Sequence, residues 1–170
     1  MIMPKGLRAM AAAIAPIALA SAVLVTASGT AAQSTPTPPP GCTGPASATW
    51  LNIVADGLKN GDGLLAVTLY ADNPSKFLVK RGSLYVTRVN ATAGTTRACI
   101  FVPKPGVYAI ALYHDENANQ SFDRTGVGFP AEGFGFSNNP ATLAGLPAFK
   151  SVRLNVPKAG LTTRISMKYP

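Results

Sequence analysis

The sequence predicts an all-β domain: a two-sheet antiparallel sandwich of about seven strands, of immunoglobulin-like or prealbumin-like kind. Three observations carry that expectation. Short β-type runs recur at intervals of about 8 to 14 residues, separated by Gly, Pro and Asn. Several runs alternate with period two, so that each half-buries itself. Nothing in the domain shows convincing helical periodicity.

Before the domain, residues 1–32 read as a secretory leader. Lys5 and Arg8 give a positive start, residues 10–25 are almost wholly apolar, and Thr30-Ala31-Ala32 offers small residues for cleavage after Ala32. The apolar run is Ala-rich, carries Pro16 and falls short of the ~20 strongly apolar residues of a membrane span. No Cys follows the small-residue site and no second stretch is apolar enough to cross a bilayer. The expected product is exported, periplasmic or secreted, with no transmembrane segment in the mature chain.

Residues 33–47 form a proline-rich linker, with four prolines within 33–41, a composition that favours extended polyproline conformation and packs no core. The domain then occupies 48–170. Loss of Lys5 and Arg8 leaves thirteen cationic against seven acidic side chains, a net charge of +6. These cations are scattered rather than gathered in a run, which argues for solvated surface charge and against nucleic acid as a partner.

The two cysteines, Cys42 and Cys99, suggest one disulfide in an oxidising compartment. Across 57 residues it would contribute roughly 4 kcal/mol in the chain-entropy description. A buried thiol at Cys99 or an intermolecular link through Cys42 are the alternatives. Two Cys and one His are too few for a structural zinc site.

The strands expected in order are 49–55, 63–71, 83–91, 95–102, 106–114, 149–156 and 161–169. Leu65, Val67 and Leu69 share a face of the second; Val152, Leu154 and Val156 share one of the sixth; Leu161, Thr163, Ile165 and Met167 share one of the last. Asn60-Gly61-Asp62-Gly63 is expected to close a first hairpin, Pro105-Gly106 to open the fifth strand, and residues 157–160 to join the last two. Residues 73–80 suit a single helical turn with Phe77 and Leu78 as core plugs. Trp50 is expected in the core.

One stretch breaks the rhythm. Residues 114–147 span 34 positions between two strands, too long for a passive connection, and such loops are usually functional or disordered. Asp115, Asn117, Asn119 and Asp123 have the spacing of positions 1, 3, 5 and 9 of a calcium loop. Against calcium, Gln120 stands where the loop has glycine and Gly126 where it has a bidentate Glu; Glu116 or Glu132 would have to substitute. The same residues also suit Asx turns, in which side-chain oxygens accept from their own backbone.

His114 is the single histidine. Beside Asp115 it invites a base reading, but no Gly-x-Ser-x-Gly or comparable nucleophile signature accompanies it, and a hydrogen-bonding role at a strand end competes. Phe129, Phe134 and Phe136 either form an exposed aromatic surface or fold back over the sandwich edge. Glycines 126, 128, 133 and 135 are too irregular for a phosphate loop.

These residues carry a family resemblance. Gly106-Val107-Tyr108-Ala109-Ile110-Ala111-Leu112-Tyr113-His114-Asp115-Glu116-Asn117, then Asn119, Phe122, Asp123, Gly128-Phe129-Pro130 and Glu132-Gly133-Phe134-Gly135-Phe136-Ser137-Asn138-Asn139, resemble the bacterial family designated domain of unknown function 2141, DUF2141. The resemblance runs from about Leu51 to Tyr169 and includes the hairpin 63–70, the plug Phe77, Pro147-x-Phe149 and a closing Ile165-x-Met167-x-Tyr169 strand. It implies an exported β-sandwich protein and no established activity. The family usually has glycines inside its Asp-Glu-Asn loop where this chain has Ala118 and Gln120.

The functional expectation is a non-enzymatic binding module that uses the loop 115–139 to recognise an envelope protein or glycan. Its ligand-facing groups would be His114, Phe129, Glu132, Phe134, Phe136 and Asn138, with Asp115, Asn117, Asn119 and Asp123 as the metal set and calcium as candidate organiser. The rivals are a structural envelope protein without ligand and a small hydrolase of transthyretin-like fold.

Overall fold

Period-two alternation sorts the residues into two opposed faces. The computed structural model describes residues 36–143 and 146–170. The leader at 1–32 and the first linker residues, 33–35, lie outside the described residues. Among the described residues eight strands form: β1 (Thr49–Leu58), β2 (Leu64–Ala71), β3 (Tyr85–Asn90), β4 (Gly94–Val102), β5 (Gly106–Asp115), β6 (Gly133–Phe136), β7 (Arg153–Val156) and β8 (Leu161–Ser166). A short 3-10 turn, Pro74–Lys76, follows β2, and one helical turn, α1 (Phe149–Val152), precedes β7.

The strands build a three-stranded sheet, β4-β1-β8, and a five-stranded sheet, β3-β2-β5-β6 with β7 also on β5. Leu51, Ile53, Ala98, Ile100, Val102 and Ile165 of the first sheet meet Leu65, Val67, Leu69, Ile110, Leu112 and Val156 of the second in one core. Each such Leu, Ile or Val contributes about 1.5–3 kcal/mol on burial. The all-β two-sheet sandwich expected from the alternation is the fold found.

Four details depart from expectation. Residues 60–63 do not close a hairpin, because β1 and β2 lie in opposite sheets; the chain crosses the core there, and again at 157–160. β8 pairs with β1 in parallel, Leu51 opposite Leu161 and Asp56 opposite Ser166, so the sandwich is not wholly antiparallel. The sixth expected strand begins as α1, and the eighth strand in the count is β6, inside the supposed loop.

The start of the domain is tied down. Cys42 and Cys99 are disulfide-bonded. Thr43 N–H donates to the Cys99 carbonyl and Phe101 N–H to the Thr43 carbonyl, both at 2.9 Å, which covers the free edge of β4. Ser47 Oγ donates to the Val102 carbonyl at 2.6 Å. Residues 42–47, read from the sequence as the end of the linker, are thus bonded into the domain. Trp50 is buried against Gly160.

Candidate functional site

β5 organises the functional region, since its two faces look into different environments. Tyr108, Ile110, Leu112 and His114 face the inter-sheet core, while Ala109, Ala111 and Tyr113 face outward. His114 is fully buried. Its Nε2–H donates to the Asp62 carbonyl at 2.8 Å, an oxygen that can only accept, and Nδ1 accepts the Tyr169 hydroxyl at 2.7 Å. The imidazole is therefore a structural tie between β5, the 60–63 crossing and the C-terminal segment.

The loop after β5 is bonded to itself. Both carboxylate oxygens of buried Asp115 accept backbone N–H groups, from Asn119 at 2.9 Å and Gln120 at 2.8 Å. Asn117 Oδ1 accepts Asn119 N–H at 3.0 Å, and Asn119 Oδ1 accepts Ser121 N–H at 2.8 Å. Asp123 Oδ2 receives the side-chain amides of both Asn117 and Asn119 at 2.9 Å. A calcium ion needs six or more converging oxygens, yet here the Asn117 and Asn119 amides turn N–H toward Asp123, and each Asp115 oxygen already accepts a backbone N–H. Asp115, Asn117, Asn119 and Asp123 are thus bonded to one another and to the loop backbone in the Asx-turn arrangement. Among the described residues no group of three or more His, Cys, Asp or Glu could hold a metal.

Neither glutamate completes such a site. Glu116 accepts from Lys59 Nζ at 2.8 Å and Asn60 Nδ2 at 3.1 Å; burial pushes its carboxyl up, but these partners bring it net below the ordinary value. Glu132 is buried, with Oε2 accepting Asp123 N–H at 3.0 Å and Oε1 without a partner. Burial holds its carboxyl above the usual range, the Asp123 N–H opposes this, and the nearby charges of Asp123 and Asp115 reinforce it.

The chain then returns as β6, whose Gly-Phe-Gly-Phe alternation is a packing device. Gly133 and Gly135 point inward, where a Cβ would lie 2.3 Å from Tyr169 and 2.7 Å from Ile165. Phe134 and Phe136 point outward. β6 pairs with residues 111–114 of β5 and, through Phe134 and Lys168, touches the segment after β8, so it closes one side of the sandwich. Ser137, fully buried, donates to the Val152 carbonyl at 2.5 Å and accepts Ile110 N–H at 3.1 Å where β6 gives way to β7.

Outside the five-stranded sheet lies a second apolar cluster. Tyr70, Phe77, Ala109, Ala111, Phe134, Phe136 and Val152 form it, and Phe122 and Phe149 pack on it. Beside this cluster opens a cleft of about 550 Å³. Thr68, Tyr70, Ala111 and Tyr113 form its strand side, Phe134 and Phe136 continue it, Phe122 and Arg124 come from the loop, and Leu78, Val79, Lys80 and Leu146 complete the rim. Its rings meet edge-on or tilted: Tyr113 and Phe122 at 5.6 Å, Phe122 and Phe134 at 6.4 Å, Phe134 and Phe136 at 5.9 Å between centroids.

A family model described as an uncharacterised protein conserved in bacteria, DUF2141, matches residues 53–164. The chain belongs to the DUF2141 family. No curated protein and no solved structure matches it. The matched span takes in every residue lining the cleft of this DUF2141 domain.

Of the ligand-facing residues expected from sequence, His114 and Glu132 are buried and do not line the cleft. Phe134 and Phe136 are largely buried but their outward faces line the cleft. Phe129 and Asn138 are exposed and stand apart from it. Sequence reasoning missed Tyr70, Tyr113, Phe122 and Arg124. The available signal was Tyr70 and Tyr113 on the outward positions of strands whose other face is already apolar, which marks a second covered face. Leu78, expected as a core plug, is 37% exposed at the cleft, and Phe77 alone is the plug.

Proposed function

We propose that this DUF2141 chain is a non-enzymatic binding module of an exported protein, with the outer-face cleft as its site. The observation that carries the reading is the cleft itself. Five aromatic rings surround a space within the roughly 300–1,000 Å³ range of small-molecule sites, on a sheet face whose remainder is sealed by Phe77, Phe149 and Val152. Tyr70 is buried to 7% exposure. Its phenol is pushed up by burial and then by Tyr113.

The non-enzymatic part rests on chemistry. Carboxylate, imidazole and thiol groups are absent from the lining residues, both cysteines are in the disulfide, and the single histidine is spent on Tyr169 and Asp62. A transthyretin-like hydrolase would need that imidazole in an open site. Export is supported by the disulfide, which suits an oxidising compartment; no helix among the described residues is long and apolar enough to cross a membrane. Burial of residues 132–137 favours a structural role for that half of the loop.

Backbone-amide NMR during titration with small aromatic fragments tests the proposal. Saturable shifts are expected at residues 68–70, 78–80, 111–113, 122–124 and 134–136. A fragment set that leaves all of these unmoved removes the cleft as a site.

A further inference from the structure

The cleft carries a charge pattern beyond its apolar walls. Lys80 and Arg124 line it, and no carboxylate does. The ion pairs among the described residues employ other cations: Lys59 with Glu116, Arg153 with Asp72, Arg164 with Asp56. Arg124 is held in place without being neutralised. Its guanidinium lies 5.0 Å from the Phe122 ring centroid and its Nη1–H donates to the Gly128 carbonyl at 2.8 Å, which leaves further N–H donors without protein partners.

Lys80 is presented by a strained segment. Leu78 and Arg81 both adopt left-handed backbone, φ 55° and 59°, a conformation costing a bulky residue on the order of 1–2 kcal/mol. Gly82 closes the same turn, where a Cβ would meet the Lys76 carbonyl at 1.9 Å. Such strain persists where the surroundings enforce it and gathers at ligand clamps. Here it flanks Val79 and Lys80, which line the cleft together with Phe122 and Arg124.

We infer that the cleft takes a small anionic amphiphile, a ring-bearing apolar body carrying one carboxylate or sulfonate, with the rings against Tyr113, Phe122 and Phe134 and the anion between Lys80 and Arg124. The inference rests on the cleft being a binding site. Arg offers a fork of donors for the anion and Lys a mobile point charge, so the pair neutralises a headgroup without fixing its exact geometry.

The test is a fluorescence titration of the intact chain with two probes sharing an aryl body: anilinonaphthalene sulfonate, which is anionic, and N-phenylnaphthylamine, which is neutral. Both should bind one per chain and compete. The anion should bind at least about fivefold tighter at low salt, an advantage that shrinks near 0.5 M salt, where the Debye length falls to roughly 4–5 Å. Lys80→Gln and Arg124→Gln should each weaken the anion about threefold and leave the neutral probe within twofold. Lys80 is exposed, so its variant decides the matter if Arg124→Gln fails to fold. Equal affinity for both probes, or indifference to Lys80→Gln, overturns the anion assignment while the cleft stands. Absence of saturable binding by either probe overturns both.

Discussion

Tyr169 donates its hydroxyl to His114 Nδ1 at 2.7 Å, joining the penultimate residue of the chain to the strand that organises the domain. The same hydroxyl accepts Lys59 N–H at 3.1 Å, and the Lys59 ammonium lies 5.2 Å from the Tyr169 ring centroid. Three segments remote in sequence therefore meet at one buried imidazole. That use of the single histidine explains why no open chemistry surrounds it.

Removing the imidazole should cost stability rather than ligand binding. His114→Ala leaves a cavity and strands the Asp62 carbonyl and the Tyr169 hydroxyl, for an expected loss of about 3 kcal/mol in urea unfolding. Tyr169→Phe should cost about 1–2 kcal/mol. The double variant should lose less than the two losses added together, because the partners act as a unit.

The Asp115 loop should respond to glycine and ignore calcium. Ala118 and Gln120 hold φ of 55° and 64°, and left-handed backbone costs a non-glycine residue about 1–2 kcal/mol, more than the roughly 0.5–1 kcal/mol of chain entropy that glycine costs. Ala118→Gly and Gln120→Gly should therefore each stabilise by up to about 1 kcal/mol. Asp115→Ala, which frees two N–H groups, should destabilise by about 2–3 kcal/mol. Melting temperatures in calcium and in chelator should coincide; a rise with calcium would contradict the self-bonded reading.

Glycines at β6 should be intolerant where their neighbours are not. Gly135→Ala forces a methyl to within 2.7 Å of Ile165 and 3.0 Å of the Ser166 carbonyl, so a loss of about 1–3 kcal/mol is expected. Gly126 has nothing within 4 Å and no positive φ. Gly126→Ala should fall within about 0.5 kcal/mol of the parent.

Glu132 sets a pH dependence. Its folded-state value lies above the unfolded one because burial penalises the ionised form. Its contribution to stability is then full below the unfolded value, near 4.5, and is lost as pH rises through the raised one. Glu132→Gln keeps an acceptor for Asp123 N–H and removes the buried charge. The variant should unfold at higher denaturant than the parent at pH 7, with the gap closing toward pH 4; a gap independent of pH would contradict this.

The sandwich was legible because Leu65, Val67 and Leu69, or Leu154 and Val156, state their period without tertiary help; Val152, expected on the same face as Leu154 and Val156, instead ends α1 and packs in the outer cluster. What alternation cannot state is the partner: residues 60–63 look like a hairpin turn, and only the packing of β1 and β2 in opposite sheets makes them a crossing. β6 was missed because inward glycines erase the apolar half of the pattern. The metal spacing was visible, but spacing does not reveal whether an Asn turns O or N–H inward. The cleft lay on the outward positions of β2 and β5, where Tyr70 and Tyr113 gain meaning only once Phe122 and Phe134 fold over them.

Filling the cleft tests the central claim most directly. Ala111 lies on its strand side, 8% exposed, opposite Thr68 and Phe136 in register. Ala111→Phe should occupy the space and weaken the neutral aryl probe at least about tenfold, equivalent to about 1.4 kcal/mol. A folded Ala111→Phe protein that still binds the probe at parental affinity would show that the ligand site lies elsewhere.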